Sequence, residues 1–215
     1  MRVDPKRTIA ELKELRSLTA DDNGAQRVAW TDTWLKARDW FTSKLAGLPV
    51  EDHIDPAGNR WITLPGESEK ALVIGSHLDS VPNGGWLDGC LGVMAALEIL
   101  RGFNEQYNGR PPITIRVVDF ADEEGARFGR SLLGSSAFAG TGSIAADRVR
   151  TDRDGIRMDA HGAEKQAQDE GGQTDTGHGG DATKEGAGLS IRPGWRLCAA
   201  KGTAKGQPRG SQGQL

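Results

Sequence analysis

Cysteine is almost missing: Cys90 and Cys198 are the two present in 215 residues, and they suggest neither a disulfide framework nor a thiolate zinc site. Long apolar runs are missing as well. No stretch approaches the roughly 20 apolar residues needed to span a bilayer, and Met1-Arg-Val-Asp-Pro leads into a charged helical pattern instead of a secretion signal. Nor is there an excess of positive charge. Lys and Arg number 27 against 30 Asp and Glu, a formal charge of −3, and no basic stripe offsets it, which argues against nucleic acid or an anionic membrane as partner. Together these absences predict a protein of the reducing cytoplasm.

Aliphatic side chains are scarce in one region. From Asp159 to Leu215 the only large apolar residues are Leu189, Ile191, Trp195, Leu197 and Leu215, so burial there cannot offset chain entropy and a disordered tail is expected. Residues 1–158, by contrast, are patterned throughout and show no internal repeat. Ile9, Leu12, Leu15 and Leu18 recur at helical spacing. Asp21-Asp-Asn-Gly24 breaks that pattern, and a second helix is expected over 25–48 with Val28, Trp34, Leu35, Trp40, Phe41 and Leu45 as its buried stripe. Short strands are expected at 50–54 and 59–64 around the turn Asp55-Pro-Ala-Gly58. A strand at 71–76, a helix over 89–103, a strand at 113–121 and a short helix over 131–139 follow. This alternation predicts an α/β fold, a parallel-rich mixed sheet with flanking helices.

Two of these strands end in residues that carry chemistry. Ala71-Leu-Val-Ile-Gly-Ser76 runs into His77-Leu-Asp79-Ser, with Asp88 in a glycine-bounded loop beyond. Ile113-Thr-Ile-Arg-Val-Val-Asp-Phe-Ala121 runs into Asp122-Glu123-Glu124-Gly. Ligands bind at the carboxyl ends of strands in open α/β sheets, so the two ends are expected to face one site. Asp79 can fix the tautomer of the imidazole two residues before it, a carboxylate at Asp88 can bridge ions, and of two adjacent glutamates one can ligate while the other takes a proton. A lone His-x-Asp is more often a capping arrangement, and Glu-Glu more often a solvated helix start. Their joint placement at strand ends favours the functional reading. Cys90, the tryptophans Trp30, Trp34 and Trp40, and His53 read as packing or structural residues.

The segments Gly75-Ser-His-Leu-Asp-Ser-Val-Pro-Asn-Gly-Gly-Trp-Leu-Asp-Gly-Cys-Leu-Gly-Val93, Phe120-Ala-Asp-Glu-Glu-Gly-Ala-Arg-Phe-Gly129 and Leu133-Gly-Ser-Ser-Ala-Phe-Ala-Gly140 resemble the hydantoinase/carbamoylase family of metal-dependent amidohydrolases, within the M20 metallopeptidase group. The resemblance covers about residues 8–158. It implies an M20-like catalytic domain holding two divalent ions, zinc first, with manganese, cobalt or nickel also suited. His77, Asp88 and Glu124 would be metal ligands, Asp88 bridging, while Asp79 orients His77 and Glu123 acts as general base on a metal-activated water. The implied substrates are small molecules with linear amide or ureido C–N bonds, N-carbamoyl-L-amino acids or allantoate-type compounds. Asp88 follows His77 closely, which favours this branch over peptidase or aminoacylase relatives. Ser136 stands where a basic residue is common.

After about residue 158 the resemblance ends. The later metal-ligand segments and the dimerisation domain of a typically homodimeric family are not matched, and His161 and His178 do not resemble ligand segments. The segment 159–215 is therefore expected to be a frameshifted or otherwise aberrant tail on an incomplete catalytic domain. That leaves a truncated, inactive fragment as the alternative to an enzyme.

Overall fold

The computed structural model describes residues 1–159, so the expectations made for the tail lie, but for its first residue, outside the described residues. Asp4 begins the first helix, α1 (Pro5–Thr19), accepting hydrogen bonds from the amides of Lys6 and Arg7 ahead of a proline at the first helical position. Its buried stripe is Thr8, Leu12, Leu15 and Thr19, while Ile9 and Leu18 are exposed. Positions 8, 12, 15 and 19 lie on one face of a 3.6-residue period, and Ile9 and Leu18 fall to its sides.

Residues 20–31 do not continue a helix. Short strands β1 (Ala20–Asp21) and β2 (Gly24–Ala25) form a hairpin, and the helix expected over 25–48 contracts to α2 (Asp32–Ser43). Two causes are local. Thr31 caps α2 by accepting from the Trp34 amide, and the backbone of Ala25 pairs with Gly84 instead of the next helical turn. Trp34, Ala37, Trp40 and Phe41 are then the buried face, and the tryptophans Trp34 and Trp40 are packing residues as expected.

Strands β3 (Glu51–Ile54), β4 (Arg60–Leu64), β5 (Ala71–Ser76) and β6 (Thr114–Asp119) form a mixed sheet in the order β3-β4-β6-β5. The β3/β4 and β4/β6 pairs are antiparallel, while β5 and β6, joined through α3 (Cys90–Gln106), are parallel. Parallel pairing is thus confined to the two strands that carry the acidic motifs. Among the described residues β5 is an edge strand, and it is half-exposed, unlike the buried strand its apolar run suggests.

Helices α1, α2 and α3 share one apolar core with the sheet, built from Leu12, Leu15, Phe41, Val93, Leu97 and Leu100 against Ile62, Leu64, Ile115 and Val117. On β4 the alternate residue Trp61 packs instead on Phe138 of α4 (Leu133–Phe138), ring centroids 5.1 Å apart. A second small cluster of Phe128, Leu133 and Met158, with Trp30 and Ile144 against it, holds the segment through α5 (Ile144–Asp147). No helix among the described residues is long and apolar enough to cross a membrane.

Candidate functional site

The parallel register pairs Ser76 with Asp119, so β5 and β6 end side by side and the two motif loops leave the sheet together. The amide of Phe120 still bonds to Ser76 O at 2.8 Å. Beyond it the second loop is braced on its far side, because amides of Leu132, Leu133 and Gly134 bond to the carbonyls of Glu123, Asp122 and Ala121. Asn59, buried at the start of β4, accepts from the Ala121 amide and donates to Gly134 O.

His77 is buried, 7% exposed. Its Nδ1 lies 3.1 Å from the Asp79 carbonyl oxygen, which only accepts, and 3.4 Å from Asp79 Oδ1. Nδ1 therefore carries a hydrogen, and Nε2 is the nitrogen offered to the site. Nε2 faces Glu123 Oε2 at 3.6 Å and Asp88 Oδ1 at 3.9 Å. Burial disfavours charge on this imidazole, but Asp79, through its hydrogen bond and its charge, and then Glu123, outweigh it and raise the pKa to about 9. Two carboxylates face Nε2, so negative charge gathers beside it.

Asp79 does more than orient His77. Its Oδ1 accepts from the Glu123 amide at 3.2 Å and its Oδ2 from the Glu124 amide at 3.1 Å, so one carboxylate ties both strand ends together. Glu124 belongs to the same electrostatic group: burial raises its pKa, His77 lowers it, and Asp88, Glu123 and Asp79 raise it. Asp88 is the exposed member, its side chain 65% open to solvent. Next to it Gly89 adopts φ +64°, and a Cβ there would come within 2.5 Å of His77 Cε1 and 2.6 Å of Nδ1. Only glycine allows α3 to start against the imidazole ring.

His77, Asp79, Asp88 and Glu123 therefore converge, and Glu124 adjoins them through its amide on Asp79. They are not yet a finished cage, since among the described residues no group of three or more His, Cys, Asp or Glu is arranged as a ready metal shell. The donor set nonetheless fits a divalent cation: an imidazole nitrogen fixed in its tautomer, carboxylates facing it, and an excess of negative charge. Cys90 is buried and its thiol is pushed up to about 12, chiefly by burial, which keeps it unreactive. His53 is exposed on β3.

Two acidic groups were missed in the sequence. Asp119, at the end of β6, accepts from the Leu78 amide at 2.8 Å and from Arg38 Nε at 2.8 Å, anchoring the turn after β5 to the sheet. A charge closing a β-branched run was the available signal. Asp122 is buried at φ +50°, and neither of its carboxylate oxygens has a hydrogen-bond partner. Burial first, then the Asp79 charge, raise its pKa to about 7; the indole of Trp30 and the Gly125 amide lie near enough to pull it down, though neither makes a well-formed hydrogen bond, and the Arg127 charge pulls the same way.

The profile of peptidase family M28 matches residues 59–188. The chain is similar to an allantoate amidohydrolase of Bacillus subtilis, 32% identical over 139 residues that make up 64% of this chain and 34% of the relative. It is also similar to an N-carbamoyl-L-amino acid amidohydrolase of Geobacillus stearothermophilus, 44% identical over 124 residues, 55% of this chain and 29% of that one. A crystal structure of a hydantoinase/carbamoylase family amidase from Burkholderia ambifaria superposes with a TM-score of 0.70 at 32% identity, covering 75% of this chain and 40% of that one. The chain thus spans about a third of the length of the curated relatives it matches.

Proposed function

Because the chain belongs to peptidase family M28, we propose that residues 1–158 carry part of the active site of a metal-dependent hydrolase of C–N bonds in linear amides or ureido compounds. N-carbamoyl-L-amino acids or allantoate-type compounds are the substrate class, which the names of the similar amidohydrolases support. The observation that carries the chemistry is the meeting of His77 Nε2 with Glu123 and Asp88 at the ends of two parallel strands.

In this reading His77, Asp88 and Glu124 hold two divalent ions, zinc being best suited to mixed imidazole and carboxylate donors and manganese, cobalt or nickel acceptable. When bound, the ions polarise the scissile carbonyl and acidify water. The chain's own groups do the rest. Asp79 keeps Nδ1 protonated and holds the backbone of Glu123 and Glu124 in place. Glu123 accepts the proton of the attacking water and returns it to the departing nitrogen. For a carbamoyl substrate the products are a free amino acid, ammonia and carbon dioxide.

The test is ammonia release from N-carbamoyl-L-amino acids by purified protein, with bound metal measured in parallel. Glu123→Gln should retain metal and lose roughly 10²–10⁴-fold in turnover. Protein that takes up no metal and releases no ammonia would instead select the non-catalytic fragment. Membership of a peptidase family favours one second reading: cleavage of a dipeptide or N-acyl amino acid without ammonia release would assign a peptidase or aminoacylase.

A further inference from the structure

Behind the His77-Leu78-Asp79 turn sits a charged residue that belongs to none of the motifs. Arg27 is wholly buried, yet no carboxylate among the described residues forms an ion pair with it, and its Nη2 has no hydrogen-bond partner. Its contacts go to the turn. Nε donates to Leu78 O at 2.8 Å, the Arg27 amide donates to Ser80 Oγ at 3.0 Å, and Arg27 O accepts from the Ser80 amide at 2.9 Å. Nη1 reaches Thr19 Oγ1 at 3.3 Å. From the sheet side Asp119 takes the Leu78 amide, so the N–H and C=O of the residue between His77 and Asp79 are gripped by buried groups of opposite charge.

A guanidinium buried without a counter-ion is costly, and its hydrogen bonds here all serve this turn and its neighbour Thr19. We propose that Arg27 is a positioning residue of the centre. By fixing Leu78 O and, through its own backbone, Ser80, it holds the peptide that aims His77 Nε2 at Asp88 and Glu123. This rests on the reading of His77 as a metal ligand. Geometry and charge then make opposite demands. Loss of a buried cation beside an acidic site strengthens its attraction for metal, whereas loss of a strut that orients a ligand weakens it, on the order of 10–100-fold.

The experiment compares the full chain with Arg27→Met, which keeps an unbranched apolar stem, using cobalt(II) affinity by equilibrium dialysis and the ring nitrogen shifts of His77 in metal-free protein. Arg60→Met serves as control, because Arg60 is also buried but pairs with Asp52 and bonds to Arg38 O and Thr42 Oγ1, all outside the turn. The expected result is a perturbed His77 ring and at least a ~10-fold loss of cobalt affinity in Arg27→Met, with neither change in the control. Should Arg27→Met fail to fold, Ser80→Ala, which removes the acceptor for the Arg27 amide, is read in the same assays and should move both in the same direction. Unchanged His77 shifts with equal or tighter cobalt binding, in either folded variant, would overturn the proposal. If the parent protein takes up no cobalt, the metal reading fails, while the His77 spectrum still decides the role of Arg27.

Discussion

Asp79 and Gly89 decide how firmly His77 is aimed, one by attraction and the other by leaving room. Asp79→Asn keeps the shape but offers one oxygen where two amides and an imidazole now bond. It should weaken metal binding by roughly 10–100-fold and, by leaving a buried amide unpaired, cost about 1–3 kcal/mol of stability; dialysis against cobalt and urea denaturation measure the two. Gly89→Ala places a methyl group against the ring in a backbone conformation that side chains avoid. A destabilisation of about 1–3 kcal/mol with displaced His77 resonances is the expected outcome. His77, Asp79, Asp88, Glu123 and Glu124 were legible in the sequence because they sit in two clustered motifs. Arg27 and Asn59 were not, since each stands outside the motifs and meets the site only through the fold, while Asp119 was marked only by closing a β-branched run.

At the scale of elements, α1 is fastened to α3 by charge as much as by Leu12 and Leu15. Glu98 of α3 accepts from the Asp4 amide and from Arg7 Nε and Nη2. Burial tends to raise its pKa, but the Arg7 hydrogen bond and the Asp4 amide, with the charges of Arg7 and Arg101, leave it lowered. A carboxyl whose pKa is depressed on folding adds stability above its unfolded value, and that contribution disappears as the pH falls through the folded value. The stability advantage of the parent over Glu98→Gln should therefore be full at pH 7 and vanish in acid below the ordinary carboxylate range, as followed by urea midpoints. Periodicity read α1, β3, β4 and α3 closely. It failed for residues 25–31, where no glycine or proline interrupts the run into α2 while the backbone of Ala25 is taken by Gly84 and that of Arg27 by Ser80.

Across the whole molecule, packing is uneven. The principal core joins three helices to the sheet, whereas residues 125–159 rest on the small cluster of Phe128, Leu133 and Met158 and on Phe138 against Trp61. That segment should open on its own: amides of α4 and α5 should exchange with solvent by a lower-energy route than those of α3 and β6, and Phe128→Ala should speed the former while leaving the latter unchanged. Such local opening would loosen the brace that Leu132–Gly134 provide to the Glu123 loop. The α/β fold, a mixed sheet with flanking helices, was readable from the alternation of elements, but the parallel-rich pairing expected with it was not found, since β5/β6 is the one parallel pair of the sheet among the described residues. Which pairs run antiparallel was not readable, because β4 and β6 are distant in sequence and their pairing is decided by shared core residues.

The single carboxylate that latches onto both strand ends has a practical corollary for protein engineering. Randomising 77–80 and 122–125 as separate libraries will mostly return misaligned pairs, because a shift in one loop must be matched by its partner. Productive variants should appear as correlated double changes, so recombination between the two loops is the search strategy this architecture rewards.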